Sequence, residues 1–122
     1  MTIKSYRDLR VWQDAMELAV SAYRHTSAYP RDELYGLTSQ IRRSATSVAA
    51  NIAEGYGRNS TGSYVQFLNT ARGSLNELET HMLLSARIGL AEKQPNDDFV
   101  ARAEVLGKQI SALIRSLKSP TN

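Results

Sequence analysis

The chain has 122 residues, 42% of them hydrophobic, with fifteen Lys and Arg against twelve Asp and Glu for a formal net charge of +3. That length fits one domain, three prolines and seven glycines are too few for a disordered or turn-rich chain, and the lack of cysteine excludes a disulfide scaffold and any thiolate metal site. Residues Met1 to Tyr6 lack the apolar run of a signal peptide, and no stretch reaches the roughly 18 apolar residues of a membrane span, so a cytoplasmic protein is expected. The mild basic excess permits an anionic partner without demanding one.

Apolar residues recur at helical rather than strand spacing. The first predicted helix covers residues 6–28. Leu9, Trp12, Met16, Ala19 and Tyr23 form its stripe, Val11, Ala15 and Val20 widen it, and Pro30 stops it. The second covers 33–56, opened by Asp32 or Glu33 and closed by Gly55 and Gly57 as residues that tolerate left-handed backbone. Its stripe is Leu34, Leu37, Ile41, Ala45, Val48 and Ile52. The third covers 61–89, with a cap within Ser60–Ser63 and the seam Tyr64, Leu68, Ala71, Leu75, Leu78 and Met82, flanked by Phe67, Leu83, Ala86 and Leu90. Gly89 and Pro95 are expected to close it. The fourth covers 96–118, starts at Asn96 or Asp97, carries Phe99, Ala103, Leu106, Ile110, Leu113 and Leu117, and frays at Ser119-Pro120. Four striped helices joined by short loops predict an all-α fold, an antiparallel up-down-up-down four-helix bundle in one domain over residues 1–122.

Catalytic and metal chemistry fails at named positions. His25 and His81 lie on different helices. Glu77 and His81 are four apart, with no second copy for a carboxylate-bridged metal pair, and His-Glu-x-x-His is absent. Gly57 and Gly62 have the glycine spacing of a phosphate loop, but Ser63 stands where Lys is required and a helix precedes instead of a strand. The loop amides and Arg58 nevertheless adjoin a helix N-terminus, where phosphate binds weakly. No serine has a histidine and a carboxylate at nucleophile spacing. A non-enzyme without metal or cofactor is expected.

Two features exceed what a bundle requires. Between Ser44 and Gly55 nearly every residue off the core stripe is small, which lets another helix approach closely. Ser47, Ala50, Asn51 and Glu54 mark that face. It serves either packing within the chain or a subunit interface in which Asn51 and Glu54 are paired, with Arg43 as a candidate partner of Glu54. The second feature is charge. Arg42, Arg43 and Arg58 face only Glu54 on the second helix, and Arg115 and Lys118 end the fourth, whose acids Asp97, Asp98 and Glu104 lie nearer its start. Complementing the helix dipole explains part of this, and binding nucleic-acid phosphate is the alternative. Arg42, Arg43, Arg58, Arg115 and Lys118 are the candidate nucleic-acid-binding residues. Spacing leaves open which of Arg42 and Arg43 faces outward. The aromatics fall mostly on core stripes, so base readout is not expected. A protein-interaction scaffold with no nucleic-acid contact is the rival reading.

Leu9-Arg10-Val11-Trp12-Gln13, Tyr29-Pro30 with Glu33-Leu34-Tyr35-Gly36-Leu37, and Ser39-Gln40-Ile41-Arg42-Arg43-Ser44-Ala45 are followed by Ala50-Asn51-Ile52-Ala53-Glu54-Gly55 and Gly73-Ser74-Leu75-Asn76-Glu77-Leu78-Glu79-Thr80-His81. Taken in order, these blocks resemble the four-helix-bundle proteins encoded in intervening sequences of bacterial 23S ribosomal RNA genes, relatives of accessory proteins of diversity-generating retroelements. The resemblance spans residues 6–118. It implies a ring-shaped homopentamer and a nucleic-acid role. The retroelement relatives associate with reverse transcriptase and with RNA or DNA, which makes such an enzyme a conceivable protein partner.

Overall fold

The computed structural model describes residues 2–119. It contains four helices, α1 (Arg10–Thr26), α2 (Leu37–Tyr56), α3 (Thr61–Arg87) and α4 (Lys93–Lys118), with single 3-10 turns at Tyr6–Asp8 and Arg31–Glu33. Each helix packs on its neighbours in sequence and α1 closes on α4, while the diagonal pairs do not meet among the described residues. Short connections force successive helices to run antiparallel, and the predicted four-helix bundle results. Among the described residues no helix is long and apolar enough to cross a membrane. Met1 and Pro120–Asn122, which the one-domain reading and the expected fraying at Pro120 include, lie outside the described residues.

The seams of α2, α3 and α4 supply the core. Ile41, Ala45, Val48 and Ile52 are buried against Leu68, Ala71, Leu75, Leu78 and Met82, and against Phe99, Ala103, Leu106 and Ile110. Burying side chains of this size contributes about 1.5–3 kcal/mol each before conformational entropy is counted. Tyr64, Leu113 and Leu117 pack on the margin. The predicted apolar pattern differs in three places: Leu34 is 45% exposed because the chain there has not yet entered α2, and Leu83 is on the outer face of α3. The third difference is the stripe of α1. Its core face is Val11, Ala15, Leu18, Ala19 and Ala22, whereas Met16, Val20 and Tyr23 are more than two-fifths exposed. The helix carries two adjacent apolar ridges, and the small residues of the inner one let it settle closely on the bundle.

Helix ends follow local chemistry, with four corrections to the predicted boundaries. Ser5 and Asp8 form a capping box around the first 3-10 turn, and extended Leu9 (φ −74°, ψ 127°) delays α1 to Arg10. α2 begins at Leu37 rather than Glu33, although Glu33 still serves its start: the carboxylate accepts the Leu37 amide at 3.2 Å. Neither Gly55 nor Gly57 is left-handed; Gly57 has φ −78° and ends α2 in right-handed backbone. The left-handed residue is Gly89 (φ 84°), which closes α3 through Gly89 N–H to Ala86 O at 3.2 Å and Leu90 N–H to Ser85 O at 2.9 Å. Pro95 does not separate α3 from α4. It lies in the first turn of α4, where its missing amide hydrogen has no helical partner to lose. Asn96 is therefore inside the helix and not its cap, and its side chain is 1% exposed with no protein partner.

Candidate nucleic-acid interface

The most cationic recess is the groove between α3 and α4 at the end where α4 finishes. Asn69 and Arg72 line it from α3, and Ser111, Ile114, Arg115 and Lys118 from α4, around a volume of 620 Å³. Arg72 donates to Ser111 Oγ at 3.1 Å and to Asn69 Oδ1 at 2.9 Å. Both partners are uncharged, so they fix the guanidinium without neutralising it. Arg115 and Lys118 are exposed in the last turn of α4, where cations complement the helix dipole, and neither enters an ion pair among the described residues. Farther along the groove Glu79 and Glu104 appear beside Lys108. Burial, and then the Glu104 charge, holds the Glu79 carboxyl above its usual range. These two carboxylates share that stretch with Arg72, Lys108 and Arg115, and they partly offset the positive charge there.

The five candidate cations divide between two ends of the molecule. Arg58 lies 2.8 Å from Glu54 and 4.6 Å above the Phe67 ring, so its charge is compensated. Arg42 stacks 4.5 Å from the centre of the Tyr23 ring and donates to Thr26 Oγ1 at 2.9 Å. Arg43 is exposed and points outward. Arg43 lies thirteen residues before the end of α2 at Tyr56, about 20 Å along the axis, and Arg58 follows beyond that end. Arg115 and Lys118 share one groove; Arg42 and Arg43 belong to another. Arg72, absent from the sequence-based set, completes the α4 end. Its signal was weak: it sits beside seam residue Ala71, at the margin of a stripe that gave no reason to look outward.

The small-residue face divides in the same way. Ser47 Oγ meets Ser74 Oγ of α3 at 2.8 Å, and Asn51 Nδ2 donates to Ser47 O at 2.8 Å and to Ser47 Oγ at 3.0 Å. These polar residues are satisfied within the chain. Glu54 takes Arg58 and not Arg43, which lies eleven residues away, about 16 Å along α2. Ala50 is exposed on the opposite side, beside Ala49 and Ala53. There it floors an apolar groove of 630 Å³ whose other wall is Trp12, Met16, Val20 and Tyr23 of α1. The sequence did contain that wall, as the outer ridge that the predicted stripe had assigned to the core.

The remaining titratable groups are dispersed. His81 Nε2 lies 3.4 Å from Glu77 Oε1, and among the described residues no three metal-ligating side chains converge. His25 stands edge-on to Phe99 at 5.3 Å. Burial, and then the Arg102 charge, lowers its pKa below the ordinary value, so the ring is neutral at pH 7.

Over residues 7–112 the chain matches the family described as 23S rRNA-intervening sequence protein. A crystal structure from Bacteroides thetaiotaomicron, described as a protein with unknown function from the S23 ribosomal protein family, is similar with a TM-score of 0.78 at 24% identity. The match covers 86% of this chain and 98% of that one, and it speaks for the fold. No curated protein matches.

Proposed function

The chain belongs to the 23S rRNA-intervening sequence protein family, and we propose that it is a non-catalytic, self-associating subunit that binds RNA or DNA through phosphate contacts. The observation that carries this reading is the α3–α4 groove, where Arg72, Arg115 and Lys118 converge and no carboxylate lines the recess. Arginine forks take phosphate oxygens in pairs, and releasing counterions from the nucleic acid drives the association. No aromatic ring lines this groove, so it reads backbone and shape rather than base edges. Fluorescence anisotropy with a structured RNA and a duplex DNA tests the reading. The triple variant Arg72→Ala, Arg115→Ala, Lys118→Ala should lower the salt slope of binding by about three units, one for each lost phosphate contact. Unchanged affinity and slope would contradict it.

The apolar groove between α1 and α2 supports self-association. Its alanine floor accepts a close-packed helix, and exposed Met16, Val20 and Tyr23 supply apolar area for burial against a second copy. The homopentamer implied by the family resemblance would repeat the cationic groove around a ring in a bacterial cytoplasm. The same groove favours one other reading, a scaffold that holds a different protein, such as a reverse transcriptase, without touching nucleic acid. A protein complex that survives nuclease treatment, together with no binding of naked RNA or DNA, would favour that scaffold.

A further inference from the structure

At the opposite end of the bundle, Tyr23, Leu34, Tyr35, Ser39, Arg42 and Arg43 line a recess of 410 Å³ with no acidic side chain among its lining. Tyr35 is 92% exposed, far beyond any other large apolar or aromatic side chain among the described residues. Its position is fixed by the connection that carries it. Gly36 N–H donates to Glu33 O at 3.0 Å, and the Glu33 carboxylate folds back onto the Leu37 amide at 3.2 Å. A Cβ at Gly36 would meet that carboxylate at 2.9 Å, so a larger residue there would push the Glu33 side chain off the Leu37 amide. The turn thus holds the Glu33 carboxylate on the start of α2 and leaves the tyrosine on the surface. Beside it, Arg42 is held flat on Tyr23 and anchored by Thr26, and Arg43 is exposed and lies outside every ion pair among the described residues.

An exposed ring in one recess with an anchored guanidinium, Arg42, and an exposed one, Arg43, matches the two halves of a nucleotide: a flat face for the base and cations for the phosphate. A base inside a duplex is already stacked, so only an unpaired one can use the ring. We propose that this recess holds one unpaired nucleotide of a single-stranded segment, with its base stacked on Tyr35 and its phosphate on Arg43. The inference rests on the nucleic-acid reading above and adds to it a second site of different chemistry, toward the other end of the bundle from the α3–α4 groove.

The test measures anisotropy of the full chain with a labelled ten-nucleotide single strand, made as RNA and as DNA, and with a duplex of the same sequence. Tyr35 is almost wholly exposed, so its replacement leaves the fold intact. Tyr35→Ala should weaken single-strand binding about tenfold or more, the loss of one base–aromatic stack, while Tyr35→Phe keeps it and duplex affinity is unchanged. Tighter binding of the RNA or of the DNA strand then identifies the natural source. Single-strand affinity unaltered by Tyr35→Ala would overturn the proposal, and the α3–α4 reading would stand if its triple variant still lost binding. A change in assembly mass on Tyr35→Ala would also overturn it, by making the tyrosine a subunit contact. Failure of the unaltered protein to bind strand or duplex at low salt would overturn both.

Discussion

Gly55 sits inside α2 where α3 comes closest, and it shows how single residues set this fold. A Cβ there would lie 2.8 Å from Phe67 Cβ and 3.1 Å from Tyr64 Cδ1, and the first of these atoms is fixed to the α3 backbone. Gly55→Ala should therefore destabilise the protein by about 1–3 kcal/mol in chemical denaturation, and a neutral result would contradict the close approach. His25 gives a pH test. Its folded pKa lies below the ordinary 6.5, so the unfolded chain takes up the proton more readily. Stability from this group is complete above pH 6.5 and is lost as pH falls through the window below it. Glu79, raised above 4.5, acts in the opposite sense, with its contribution present below 4.5 and lost as pH rises. Replacing His25 with Gln leaves Glu79 in place, so the difference between the two stability curves isolates the histidine. Equal slopes below pH 6.5 would contradict the assignment. At this scale the sequence was partly legible. The Ser60 cap, which accepts the Ser63 amide at 3.1 Å, and the Gly89 terminus have local signatures. Gly55 does not, because its need for glycine comes from Tyr64 and Phe67 on the next helix.

At the scale of elements, α1 is the informative case. Three- and four-residue spacing correctly indicates a helix, yet it cannot distinguish two neighbouring apolar ridges when both are continuous. The inner ridge, rich in alanine, enters the core, and the bulkier one with Met16 and Val20 stays outside. The small-residue face of α2 divides for a similar reason: Ser47 and Asn51 bond locally and turn to α3, and Ala50 is left for the groove. Ala50→Leu should leave the bundle folded, since Ala50 is exposed in the single chain, but should fill the groove and reduce the assembly's mass in light scattering. Two folded monomers, before and after the change, would remove the self-association reading of this face. The seams of α2, α3 and α4 needed no correction in their central positions. Each has one ridge of large side chains, and only one face was available to bury it.

For the whole molecule, four periodic stripes and short loops were enough to define the bundle, because every stripe has to be covered by another. Charge carries no equivalent constraint. Five candidate cations read along the sequence resolve in space into a compensated Arg58, an Arg42–Arg43 end and an Arg115–Lys118 end joined by Arg72. A net charge of +3 would not reveal a recess with three uncompensated cations and an acidic border. The central claim is that this recess binds phosphate, and the most direct measurement is the affinity for a structured RNA as salt is raised from about 50 to 200 mM. The account predicts that log affinity falls linearly with log salt, with a slope of about −3 or steeper that the Arg72, Arg115, Lys118 triple variant makes shallower by about three units. An affinity that stays flat over this range, or a slope the variant leaves unchanged, would contradict it.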